Sequence, residues 1–306
     1  MQNEPSSPQH VLVTGSSGRV GSAVCAALKA AGLTARGLDR VAGPNTQVQS
    51  EIDDLPTLRQ ALRGIDAVVH CAALHAPHVG QYADAEFRRI NVDATRQLAE
   101  LSVAMGIGRF VFTSTTALYG RAAERPDRTA WIDIDTPAEP DTIYHHTKLD
   151  AEHVLLTLAE SASISLSILR MSRCFPEPAD QMAVHRLHRG VDVRDVAAAH
   201  AQALRQTIGV RRWLVSATPV FKREDLPRLF DEADRVIFER APGLAQAFAV
   251  RGWPLPRHLD RVYDPGLGPM TAGWRPAHGW EAVLNALAEG RLTVLAASPN
   301  SGTRDA

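Results

Sequence analysis

Short apolar, β-branched runs alternate with longer segments of helical periodicity through the first two-thirds of the chain. His10-Val-Leu-Val-Thr14 predicts a buried strand, followed by a helix over 18–31. Leu33 to Asp39 reads as a second strand and Val48 to Ile52 as a weaker third. Asp54-Leu-Pro-Thr57 opens a helix, and Asp66 to His70 is a fourth strand. A long helix over 83–105 leads to a fifth strand, Arg109 to Ser114. A helix over 141–160 then leads to a sixth, over 163–170. Such regular alternation implies right-handed crossovers and a doubly wound parallel α/β sheet covered on both faces. Residues 191–206 look helical and 212–216 like one more strand. From Thr218 onward Pro, Gly and Trp become frequent, which predicts a small, irregular C-terminal lobe over the sheet's edge. The expected organisation is a flexible terminus (1–9), a main domain (10–216), the lobe (217–296) and a flexible tail (297–306). No internal repeat is visible.

Composition narrows the classes. The 306 residues carry a formal charge of −1 with no basic tract, unlike a nucleic-acid binder. No apolar run approaches the roughly 18 residues of a membrane span. The Met1 to Gln9 segment lacks the basic and apolar regions of a signal peptide. Cys25, Cys71 and Cys174 are odd in number and widely spaced, which reads as reduced thiols and neither a disulfide framework nor a zinc site. A soluble cytoplasmic protein is expected. Of 33 basic residues only three are lysines, Lys29, Lys148 and Lys222.

The first strand runs into Thr14-Gly-Ser-Ser-Gly-Arg-Val-Gly21, a GxxGxxG turn opening a helix. Glycines there allow a tight turn and close approach of backbone to a pyrophosphate, which the helix N-terminus attracts. Asp39 ends the second strand, 18 residues after Gly21. A carboxylate at that point accepts ribose hydroxyls and repels a 2′-phosphate, favouring NAD over NADP. Arg36 and Arg40 are cations near the same position, read as surface charges.

Tyr144 and Lys148 form a YxxxK motif near the start of a helix, and the four-residue spacing places both on one face. A nearby ammonium favours the phenolate and moves tyrosine toward useful acid–base chemistry. The fifth strand ends in Thr113-Ser-Thr-Thr116, at the strand ends where open α/β sheets bind ligands. A hydroxyl there can hold a substrate oxygen beside Tyr144.

Taken in order, the glycine turn, the hydroxyl-rich strand end closing on Tyr119-Gly120 and Tyr144-x-x-x-Lys148 resemble the extended short-chain dehydrogenase/reductases, the NAD-dependent epimerase/dehydratase family. Val68 to Ala73, Asn91-Val-Asp-Ala-Thr95 and Val191-Asp-Val-Arg-Asp-Val-Ala197 resemble further family segments. The resemblance covers roughly residues 10–216. It implies a Rossmann domain, with 171–190 contributing to the substrate side. It also implies catalytic roles for Thr115, Tyr144 and Lys148. Gly15, Ser17, Gly18, Arg19 and Val20 would wrap the pyrophosphate. Asp39 and Arg40 would face the adenosine ribose, with Glu51 and Ile52 beside adenine. Cys71, Ala72, Ala73, Asn91 and Thr113 would line the cofactor groove with Tyr144 and Lys148. His75, Thr115, Thr116 and Arg173 are the candidate substrate contacts, and a homodimer built on the helices over 83–105 and 141–160 is implied.

The sequence also departs from the pattern. Only 17 residues separate Cys174 from Asp192, whereas family members acting on nucleotide sugars usually carry several tens there as a nucleotide clamp. That shortness and Cys174-Phe-Pro-Glu-Pro178 are similar to the hexuronate dehydrogenases, although Ser114-Thr-Thr-Ala117 differs from their Ser-Ser-Asn-His. No carboxylate follows Thr115, unlike the 4,6-dehydratases. Among the twelve histidines, His185-x-x-His188 has helical spacing without an evident third metal ligand, so no metal is expected. His145 and His146 read as partly exposed, and Asp133 with Asp135 as a solvated loop face. The expected function is NAD-dependent hydride transfer at a secondary alcohol or carbonyl of a small sugar, sugar-acid or polyol-like substrate. The rivals are an epimerase that returns the hydride internally and a non-catalytic NAD(H)-sensing regulator.

Overall fold

The computed structural model describes residues 8–162, 164–207 and 209–291. Residues 1–7 of the predicted flexible terminus and the whole predicted tail lie outside these. Seven parallel strands form the central sheet: β1 (His10–Thr14), β2 (Thr34–Asp39), β3 (Val48–Gln49), β4 (Ala67–His70), β5 (Arg109–Thr115), β7 (Ser165–Met171) and β8 (Val210–Val215). Their order is β3-β2-β1-β4-β5-β7-β8, so the winding reverses between β1 and β4. Strand β6 (Ala130–Ile132) pairs separately with β9 (Arg261–Tyr263).

Alternation along β1 explains the layering. Val11 and Val13 point into one apolar layer with Val24, Cys25 and Leu28 of α1 (Arg19–Ala30). Leu12 points into the other, with Leu58 of α2 (Leu55–Ala61). A long helical stretch follows β4: α3 (Asp84–Arg88), a π-helical turn (Arg89–Asp93) and α4 (Ala94–Ala104). Leu98 of α4 and Leu155 of α5 (Ile143–Ser161) close that second layer. Helices α6 (Ala179–His188) and α7 (Val193–Ala203) follow β7.

The C-terminal lobe is more regular than its Pro, Gly and Trp content suggested. It holds α8 (Leu226–Asp231), α9 (Ala233–Arg240), α10 (Pro242–Arg251), α11 (Gly268–Thr271) and α12 (Trp280–Ala288). Pro227 and Pro242 sit in first turns, where a missing amide hydrogen costs nothing. The weak third strand shrinks to two residues, because Ser50 leaves the ladder after donating to the Asp39 carbonyl. Among the described residues no helix is long and apolar enough to cross a membrane.

Candidate active site

The C-terminal ends of β1, β2, β4 and β5 bring the predicted groups to one edge of the sheet. Gly15 has φ +70°, and a Cβ on it would lie 2.8 Å from the Ala72 nitrogen; one on Gly21 would lie 2.1 Å from the Gly15 carbonyl oxygen. The turn therefore packs directly on the chain after β4, and only glycine fits. Gly18 caps α1 without a side-chain acceptor, so the first amides of that helix face the turn uncovered by protein side chains. Such a cradle fits a dinucleotide's pyrophosphate.

Asp39 braces this turn. Its carboxylate accepts the Ser17 amide at 2.9 Å and the Val41 amide at 2.9 Å. A carboxylate has about four lone-pair directions, so acceptor capacity remains for ribose hydroxyls. Arg36 is not a free surface charge: it donates to the Ala61 and Arg63 carbonyls at 2.7 and 2.8 Å, satisfying the end of α2. Arg40 is exposed and hydrogen-bonds Tyr82. Glu51 is exposed, Ile52 lies in the layer with Leu12, and Val20 packs on the opposite layer from α1. Arg19 donates to the Cys174 carbonyl at 2.7 Å, tying the glycine turn to the segment after β7.

Thr142 caps α5 by accepting the His145 amide, placing Tyr144 and Lys148 in its first turns. The Thr115 hydroxyl accepts the Ala117 amide at 3.1 Å and faces the Tyr144 phenol. Burial pushes the phenol up to about 12, and the Thr115 hydroxyl opposes that rise. Lys148 is 3% exposed. Its ammonium donates to the Thr113 carbonyl at 2.8 Å and lies 3.9 Å from the Phe112 ring centre. Burial lowers it to about 7, against the pull of the Glu152 carboxylate.

Asn91 has a different task from lining a groove. Its amide accepts the Leu74 N–H and donates to the Leu74 carbonyl, both at 2.8 Å, and donates to Thr147 at 3.1 Å. It thus clasps the chain after β4 to the residue preceding Lys148. His200 donates from Nδ1 to the Val196 carbonyl at 2.8 Å, so its Nε2 accepts the Thr113 hydroxyl. That leaves the Cys71 thiol, 3.1 Å from the Thr113 oxygen, as donor to it. Burial raises Cys71 to about 12 and lowers His200 to about 4, so both stay neutral.

The proposed substrate residues divide. Thr115 is at the centre, whereas Thr116 is buried. His75 is exposed and stacks on His78 at 4.5 Å between ring centres. Arg173 is committed to Glu177 at 2.6 Å, which His185 also engages at 3.0 Å. Among the described residues no cluster suits a metal ion. Asp133 binds Thr136 and Arg223, and His145 pairs with Asp141. The sequence reading missed Ser114, Glu152 and Arg170, which form a buried network behind Lys148. The available signal was Glu152, a carboxylate four residues after Lys148 on the buried face of α5, and Arg170 inside an apolar strand.

The glycine cradle, the Asp39 brace and the Thr115–Tyr144–Lys148 group on a seven-stranded parallel sheet define an extended short-chain dehydrogenase/reductase. Residues 11–188 match the NAD dependent epimerase/dehydratase family, and the chain belongs to it. A 2-alkyl-3-oxoalkanoate reductase of Stenotrophomonas maltophilia is 31% identical over 183 residues, 58% of this chain and 54% of that one. Cinnamoyl-CoA reductase 1 of rice is 26% identical over 285 residues, 80% of each. An undecaprenol-linked N-acetylglucosamine 4-epimerase of Escherichia coli is 30% identical over 173 residues, 55% of this chain and 50% of that one. The chain thus spans about half the length of the first and third of these relatives. A short-chain dehydrogenase/reductase superfamily protein from Agrobacterium tumefaciens, solved with NAD, has the same fold. Its TM-score is 0.69 at 22% identity, covering 92% of this chain and 96% of that one.

Proposed function

We propose that the protein moves a hydride between NAD and a secondary hydroxyl or carbonyl of a small sugar, sugar-acid or polyol-like substrate. The observation that carries this reading is the Thr115–Tyr144 hydroxyl pair, with the Lys148 ammonium one turn further along the same buried helix face. The glycine turn and the first amides of α1 would hold the pyrophosphate, and Asp39 the adenosine ribose. When bound, the nicotinamide supplies the hydride acceptor or donor. Thr115 orients the reacting oxygen, Tyr144 takes or returns its proton, and Lys148 stabilises the phenolate. Without cofactor the buried phenol is protonated at neutral pH, so deprotonation belongs to the assembled complex.

The small substrate follows from α6. The 17 residues between Cys174 and Asp192 include a helix whose Ala179, Met182, Ala183 and Leu187 are buried in the lobe core. That packing leaves little chain for a nucleotide clamp. Relatives include both reductases and epimerases by name, so net redox turnover is the point to measure. A screen of sugars, sugar acids and secondary alcohols with NAD should give reduced-nicotinamide absorbance. Tyr144→Phe should lower that rate at least about 100-fold. Product without accumulated reduced cofactor would identify an epimerase. An unchanged rate in Tyr144→Phe would overturn the catalytic assignment. A homodimer belongs to the same proposal, through the groove of about 410 Å3 beside Arg96, Val154 and Leu158 on α4 and α5, and sedimentation of the holoenzyme tests it.

A further inference from the structure

Behind Lys148 lies a group of buried polar side chains that the reaction scheme above does not use. Glu152 is 1% exposed and Arg170 4%. Arg170 grips the carboxylate from β7 with three contacts, Nε at 3.0 and 3.2 Å and Nη2 at 2.7 Å. The Ser114 hydroxyl donates to Glu152 at 2.5 Å from β5, and Arg170 Nη1 donates to the Tyr119 hydroxyl at 3.3 Å. A buried ion pair of this kind is a poor source of net stability, because desolvating both charges cancels most of the attraction. Its placement suggests another use. Glu152 stands four residues after Lys148, on the same face of α5, and is the carboxylate whose charge reaches the ammonium.

We propose that Glu152 and Arg170 are positioning residues of the reaction: the clasp they form with Ser114 sets how much positive charge Lys148 carries, without touching substrate. The groups facing Lys148 from other elements leave this task to the clasp. From β4 and the loop after it come His70, Cys71 and His75. The first is held neutral by burial down to about 3, and the second is a thiol raised to about 12. His75 is likewise pushed down from its ordinary value, so it too is mainly neutral above pH 7. From β5 come the Thr113 carbonyl and the Phe112 ring, which favour the ammonium but do not titrate. Glu152 is therefore the neighbouring anion, and Arg170 limits its pull by neutralising it. Removal of Arg170 would keep Lys148 charged to a higher pH, and removal of Glu152 would discharge it at a lower one. An intermediate pull leaves the ammonium able to respond when the Tyr144 phenol, one turn earlier on α5, changes charge.

The inference rests on the Tyr144–Lys148 reading, but its test does not need the substrate. The chain has only three lysines, so protein labelled with 13C-lysine gives three side-chain Cε resonances. Lys148 is the one lost in Lys148→Arg. Its titration midpoint should be highest in Arg170→Met, then wild type, then the Glu152→Gln/Arg170→Met double variant, and lowest in Glu152→Gln. The two extremes should differ from wild type by about one pH unit. Equal midpoints, or any other order, would overturn the proposal, since a merely structural clasp has no reason to move them in opposite directions. Should Arg170→Met not fold, Glu152→Asp keeps both charges and should return the midpoint to wild type, while Glu152→Gln still lowers it. If the series holds but Tyr144→Phe keeps its rate, the catalytic reading fails and the charge coupling stands.

Discussion

Glycine at position 15 is demanded twice over, by a backbone with φ +70° and by the Ala72 nitrogen 2.8 Å from where a Cβ would sit. Gly15→Ala must push the turn away from the chain after β4, just where the pyrophosphate is expected to lie. NAD affinity should fall at least about tenfold by fluorescence titration, with the fold retained in circular dichroism. The residues proposed for chemical tasks were readable at this scale because their spacing is local: four residues join Tyr144 to Lys148, six join Gly15 to Gly21. Asn91, His200 and Arg170 show the opposite case. Asn91 and Arg170 meet Leu74 and Glu152 across 17 and 18 residues and His200 meets Thr113 across 87, separations that no local spacing encodes. Arg173 has a local partner that the sequence reading did not pair with it. A guanidinium beyond a strand end looks available for a substrate, yet Glu177 four residues later takes it.

Elements with clear periodicity were legible to within a few residues, since the main strands and crossover helices each bury a distinct face. The pair β6 and β9 was not, because three residues are too few to show alternation and the second strand lies in a Pro- and Gly-rich stretch. The π-helical turn inside the long helix was equally hidden. One extra residue per turn keeps the apolar pattern nearly intact while rotating Asn91 toward Leu74. Asn91→Ala would leave the buried N–H and C=O of Leu74 without their partner. We expect a loss of about 2 kcal/mol in urea denaturation, accompanied by weaker NAD binding because the chain after β4 is released from α5.

Across the whole molecule, several imidazoles are kept uncharged by burial. His70 lies between Thr14 at 2.7 Å and Thr95 at 2.9 Å and is lowered to about 3, and His200 is lowered to about 4. In the unfolded chain each takes a proton as pH falls below about 6.5, whereas in the fold it does not. The unfolded state then binds more protons, so stability is full above 6.5 and declines as pH drops toward 4. Each group adds up to about 1.4 kcal/mol per pH unit to that slope. Denaturation midpoints measured from pH 7.5 to 5 should fall accordingly, and His200→Asn should flatten part of the decline. A flat profile in the unmodified protein would show that these rings charge within the fold.

The Asp39 carboxylate has a consequence for how cofactor choice can change over evolutionary time or by engineering. One oxygen holds the Ser17 amide and the other the Val41 amide, so the group we propose to discriminate against a 2′-phosphate is also a strut of the glycine turn. Exchanging it for a neutral or basic residue removes discrimination and scaffolding together. A lineage moving from NAD to NADP would have to rebuild the turn first, by giving the Ser17 amide another acceptor, before losing Asp39 could become an advantage. Selectivity in this protein is inherited along with loop shape, and neither is free to drift alone.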